Sequence, residues 1–148
     1  MTNKTVSIFL FFIVFHFMEN PLHAQGYKIS GTIHNIENAS DEPGVIRIFL
    51  LTKNTFRLPF EGIREIVIKT KQSKNSVSFS IDDVNRGEYA LRCFQDKYND
   101  GELDRFLMVP KEPWCLSWKN NENSIPPKFD DVSFEVQEDT NFDLFLRK

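Results

Sequence analysis

An all-β fold is predicted by three features of this sequence. Apolar residues recur at every second position in several short runs, and Gly, Pro, Asn and Asp cluster between those runs. Beyond residue 24 alanine occurs only at Ala39 and Ala90, while Val, Ile, Phe and Thr are plentiful, a composition that favours strands over helices. No helical period is sustained over three turns. Together these give about seven short strands separated by turn signals, which points to a single Ig-like or transthyretin-like β-sandwich.

The N-terminus precedes that fold and sets its compartment. Lys4 supplies a short positive region, and Val6 to Phe17 is apolar apart from Ser7 and His16. Leu22-His23-Ala24 then places a small residue at the cut. That is a secretory signal peptide pattern, and the run is shorter than the ~20 apolar residues of a membrane span. Residue 25 is Gln, so no cysteine stands at the cut to take a lipid anchor. The expectation is a signal peptide over residues 1–24 and one sandwich domain over 25–148, secreted or periplasmic, with no membrane contact after cleavage. Lys4 and Glu19 leave together, so the processed chain keeps the net charge of -3. Nothing in it resembles a basic nucleic-acid footprint. His16 and His23 leave as well, and His34 remains as the one histidine. That removes most zinc sites and leaves a single base for any Ser-His or Cys-His machinery.

The strands follow in order. Tyr27, Ile29, Gly31 and Ile33 alternate with Lys28, Ser30, Thr32 and His34, the period of a half-buried strand that leaves His34 on the solvated side. Val45 to Leu51 is apolar except for Arg47 and lies between Pro43-Gly44 and Lys53-Asn54, which marks a central strand. Thr52 to Glu65 has no clear period, and Pro59 and Gly62 argue against a long helix there. Ile66 to Thr70 reads as a strand, and Val77, Phe79 and Ile81 alternate with serines as another. Asp82 to Arg86 reads as a turn before the strand Tyr89 to Phe94, which Gly87-Glu88-Tyr89 launches. Near the C-terminus Val132, Phe134 and Val136 form one alternating set, and Phe142, Leu144 and Leu146 form the last.

Between these strands, Asp96 to Asp104 approaches the first nine positions of a calcium loop. Such a loop needs oxygen at alternate positions and a glycine at the sixth, so that carboxylates converge on one hard cation. Asp96, Asp100, Gly101 and Asp104 comply, and Glu102 would offer its backbone carbonyl. Tyr98 stands where an Asp or Asn belongs, and Leu107 stands where the bidentate Glu should be. The other reading is a tight connection in which Asn99-Asp100-Gly101 turns the chain and Asp side chains cap amides. Downstream, Trp114 and Trp118, with Lys111, Glu112 and the amides of Asn120, Asn121 and Asn123, are candidates for contacting a sugar ring or a protein partner.

Gly87-Glu88-Tyr89-Ala90, Phe94-Gln95-Asp96, Gly101-Glu102-Leu103-Asp104, Pro110-Lys111-Glu112-Pro113-Trp114, Ser117 and Pro127-Lys128-Phe129-Asp130-Asp131-Val132 with Phe134 occur in this order. The series resembles a secreted bacterial family catalogued as domain of unknown function 2141. The resemblance implies a signal peptide, a small β-sandwich and no established activity. The family loop usually carries Asn where this chain has Tyr98, and a small residue where it has Cys115.

The functional expectation is a non-enzymatic binding or structural module without a cofactor. Two alternatives stand beside it. One is a glycan hydrolase built on paired carboxylates among Asp96, Asp100, Asp104 and Glu112, although nothing in the sequence marks one of them for a raised pKa. The other is a calcium-stabilised adhesion module.

Cys93 and Cys115 are a candidate disulfide in an oxidising compartment. Cys93 shares parity with Tyr89 and Leu91, whereas Cys115 and Ser117 face away from Trp114, Leu116 and Trp118. Pointing Cys115 at Cys93 therefore sends both tryptophans to the opposite face. With one core to fill, burying the tryptophans is the more economical choice, so the expectation is two free thiols. The signal reading also predicts that exported protein begins at Gln25, and N-terminal sequencing or intact mass checks it; exported protein that retains Lys4 would contradict it.

Overall fold

The computed structural model describes residues 26–37, 44–59, 61–70, 75–107, 109–119 and 126–148. The expected signal peptide and Asn120, Asn121 and Asn123 lie outside them. The elements are β1 (Tyr27–His34), β2 (Val45–Leu51), β3 (Arg64–Lys69), β4 (Ser76–Val84), β5 (Gly87–Asp96), β6 (Arg105–Phe106), β7 (Val109–Pro110), β8 (Trp114–Leu116), α1 (Phe129–Val132), β9 (Phe134–Val136) and β10 (Thr140–Phe145). No helix among the described residues is long and apolar enough to cross a membrane.

β1 forms the middle of one sheet, parallel to β10 and antiparallel to β4. Its alternation is as the period requires, with Ile29 and Ile33 buried and Lys28 exposed. Gly31 is fixed by close approach, because a Cβ there would collide with the Phe142 carbonyl oxygen. The second sheet runs β3-β2-β5-β8, and β9 pairs with the first residues of β5.

β2 is apolar almost throughout because both of its faces are covered. Ile46, Ile48 and Leu50 join Leu91 and Cys93 of β5 in a core cluster that also holds Ile29, Ile33 and Ile81 of the first sheet. Phe49 and Leu51 point the other way, into a second cluster with Ala90, Phe94, Leu103, Phe56, Phe129 and Val132. The unperiodic segment after β2 therefore has a purpose in packing. Thr55 Oγ1 accepts from the Thr52 amide at 2.9 Å, and this turn lays Phe56 over the outer face of the sheet.

The second cluster overturns the expectation of two free thiols. Cys93 and Cys115 are paired residues of β5 and β8 with Cα atoms 5.3 Å apart, and they form a disulfide. Both sulfurs belong to the core between the sheets, while Leu116 lies in the second cluster and Trp114 and Trp118 pack against it. Cys115 does face away from both tryptophans, but the bond and tryptophan burial are not rivals for one core. With apolar layers on both faces the chain has both.

Three further elements differ from the sequence reading. β4 continues to Val84 through the expected turn residues Asp82 and Asp83. Val132 ends α1 instead of opening a strand, since α1 turns it into the second cluster while Val136 enters the first. The β6–β7 hairpin was not anticipated, because its strands have only two residues each.

Closing a loop of 22 residues by a disulfide restricts the unfolded chain, worth about 3 kcal/mol in the chain-entropy account. Reduction is expected to lower unfolding stability by about that amount, read by urea denaturation with and without dithiothreitol. An unchanged midpoint would contradict the bond's contribution.

Candidate functional site

The strongest assembly of charged groups lies where β5 leaves its sheet. Asp96 closes β5 and is fully buried. Arg47 stands on the adjacent β2, opposite Phe94, and so on the same face. Its Nε donates to Asp96 Oδ2 at 2.7 Å, its Nη1 to Glu65 Oε1 at 2.7 Å and its Nη2 to Asn99 Oδ1 at 3.2 Å. The Asp96 carboxylate also accepts from the Asp100 and Gly101 amides at 3.2 and 2.9 Å. Gly101 has φ 88° and Asn99 φ 52°, left-handed conformations that Gly and Asn adopt at least cost and that turn those amides inward. Burial acts to raise the Asp96 pKa, but Arg47 and the two amides outweigh it and hold the carboxyl below the usual carboxylate range.

A second buried carboxylate closes the loop from the other side. Glu112 is 3% exposed, accepting from the Lys97 amide at 2.7 Å and the Asp104 amide at 3.2 Å. Burial pushes its pKa up; the two amides oppose this, and the nearby Asp96 and Asp104 charges add to the rise. The sequence marked no carboxylate here for such a shift, because the burial comes from the folded loop.

These bonds engage the candidate calcium ligands within the loop itself. Asp96 turns inward to Arg47 and the backbone, and Asp100 Oδ1 accepts from the Glu102 amide at 2.9 Å. Glu102 is exposed, and Asp104 enters through its amide. Among the described residues no three His, Cys, Asp or Glu side chains gather as a group to hold a metal ion. A calcium site gathers six to eight oxygens, whereas Asp96 and Asp100 here direct theirs to Arg47 and to backbone amides. As a paired-carboxylate site the loop is equally committed, since Asp96 and Glu112 are spent on backbone amides.

Trp114 and Trp118 are half-buried rather than standing free at a rim. The Arg147 guanidinium lies 5.3 Å from the Trp114 ring and 5.1 Å from the Trp118 ring. Trp114 also exchanges backbone bonds of 2.9 and 3.1 Å with Arg147. Glu112 is buried, so of the described candidate contact residues Lys111 alone is exposed. His34 has a partner that the sequence did not indicate, Asp143 on β10 at 2.9 Å, and it stacks on Phe145.

Sequence reasoning missed Arg47 as the partner of Asp96, because the two are 49 residues apart. It also missed the β6–β7 hairpin, where Phe106, Leu107 and Val109 are exposed. The unbroken apolar run from Phe106 to Val109 between Arg105 and Lys111 was the available signal.

A family model described as "Uncharacterized protein conserved in bacteria (DUF2141)" matches residues 34–143, which include Arg47, the acidic loop, Glu112 and the hairpin. No curated protein and no solved structure matches the chain.

Arg47→Ala is expected to destabilise the protein by about 3 kcal/mol, the low end for removing one partner of a buried ion pair. Because the folded Asp96 pKa is depressed, its contribution is present above the unfolded carboxylate value and is lost as pH falls through the folded one. Removing Arg47 raises the folded value, so the variant should unfold at higher pH in an acid titration. Urea denaturation and the acid midpoint by circular dichroism check both effects, and unchanged midpoints would contradict the role given to Arg47.

Proposed function

The chain belongs to the bacterial DUF2141 family, and on that footing we propose that it is an exported, non-enzymatic Ig-like β-sandwich serving as a binding or structural module. Residues 25–148 form its single domain, in a secreted or periplasmic setting. The sandwich reading is supported by the core cluster shared between β1, β4 and β10 on one side and β2, β5 and β8 on the other. It is also supported by Tyr89, whose hydroxyl donates to the Asn85 carbonyl oxygen at 3.1 Å. That bond resembles the tyrosine corner of Ig-like domains.

One observation carries the non-enzymatic reading. The two buried carboxylates of the loop, Asp96 and Glu112, bond to Arg47 and to four backbone amides. A glycosidase needs one carboxyl to protonate a leaving group and another to face the sugar, with both open to substrate. Here the carboxyl with the raised pKa, Glu112, is 3% exposed. Asp100, Glu102 and Asp104 remain as loop surface, and the partner is a carbohydrate or another protein.

Protein purified from the exported fraction, presented to a glycan array and to a panel of chromogenic glycosides, is expected to give no turnover. Turnover that disappears in Asp104→Asn would overturn this reading in favour of the hydrolase.

A further inference from the structure

The β6–β7 hairpin holds three large apolar side chains in solvent, with Phe106 65%, Leu107 84% and Val109 66% exposed. It is a two-rung ribbon in which Arg105 pairs with Pro110 and Phe106 with Val109. Leu107 has φ 59°, a left-handed conformation that bulky side chains rarely adopt and that Gly or Asn would take at less cost. Water offsets neither that backbone cost nor the exposure of so much apolar surface.

The ribbon's own charges are cationic. Residues 105–111 carry Arg105 and Lys111 and no carboxylate, in a chain of net charge -3. Arg105 opens β6 and Lys111 follows β7, so both cations stand at the base of the ribbon. The Lys111 ammonium lies 5.8 Å from the Phe106 ring centroid. Exposed Asp100 and Glu102 and half-buried Asp104 precede the ribbon, and the Asp104 carbonyl accepts from the Lys111 amide at 2.7 Å; these carboxylates would keep an anionic surface to the ribbon itself.

We propose that this hairpin is a membrane-interface anchor, in which Phe106, Leu107 and Val109 enter the apolar boundary of a bilayer while Arg105 and Lys111 meet anionic headgroup phosphates. Apolar tips with basic flanks suit that boundary, where buried apolar area and attraction to anionic lipid add together. The size of the tip favours a bilayer over a protein partner. A stable protein interface takes about 20–30 residues a side, whereas a bilayer accepts a few side chains without a matching pocket. The inference rests on the exported-module reading, gives it a surface to act on, and replaces the expectation that the processed chain makes no membrane contact.

The test uses protein recovered from the exported fraction, sedimented with vesicles of phosphatidylcholine alone or mixed equally with phosphatidylglycerol. The mixed vesicles are expected to carry the protein down. Phe106→Ser and Leu107→Ser should each weaken partitioning about tenfold, the effect of withholding one large apolar side chain from burial. Lys111→Gln should weaken binding to the mixed vesicles and leave the neutral ones unchanged. Melting temperatures should stay at the parent value, since these side chains touch water in the free protein. No sedimentation with either vesicle, equal sedimentation of parent and Leu107→Ser, or hairpin-dependent capture of a protein without vesicle binding would overturn the anchor. Those results would leave the module reading standing, which falls instead on glycan turnover lost in Asp104→Asn.

Discussion

A carboxylate taken wholly out of water must be paired or it will not stay ionised, and Asp96 sets the course of the chain around it. Its partner Arg47 is a planar fork that reaches Asp96, Glu65 and Asn99 at once, so one guanidinium joins β2, β3, β5 and the loop. The remaining capacity of the Asp96 carboxylate is filled by the Asp100 and Gly101 amides, which requires the chain to turn through left-handed residues immediately after β5. Glu112 then takes the amides of Lys97 and Asp104. The acidic side chains of the loop thus accept from its own backbone.

The same region depends on a sheet that is covered on both sides. One face of β2 and β5 meets the opposing sheet, and the other carries Phe49, Leu51, Ala90 and Phe94 beneath Phe56, Leu103, Phe129 and Val132. Irregular segments thereby become part of the core. Ser117 ties them down where β8 ends, its hydroxyl accepting from the Leu91 amide at 2.8 Å and donating to the Val132 carbonyl oxygen at 2.7 Å. The disulfide lies on one face of this sheet and the tryptophans on the other, which accounts for both at once.

What the sequence made legible was periodicity and local turn chemistry. Val45 to Leu51 was readable as a central strand because an apolar run of that length, bounded by turns, is the pattern of two-sided burial. The alternation of Tyr27 to His34 gave β1 its buried face directly. The layers on top of the second sheet were not legible, because Phe56, Leu103 and Phe129 are isolated apolar residues in stretches with no period. That gap produced the error over the cysteines. The acidic loop was ambiguous for a different reason: Asp at alternate positions serves a cation and serves backbone amides equally well. Only the arrival of Arg47 from β2 separates the two, and a residue 49 positions away leaves no local signal.

The amides of Lys97, Asp100, Gly101 and Asp104 hold this loop onto the Asp96 and Glu112 carboxylates. Amide hydrogen exchange at Lys97, Asp100, Gly101 and Asp104 tests it most directly, measured in chelator and again with added calcium. All four amides are expected to be protected in chelator, with little change when calcium is added. Rapid exchange in chelator that becomes slow only with calcium would contradict it.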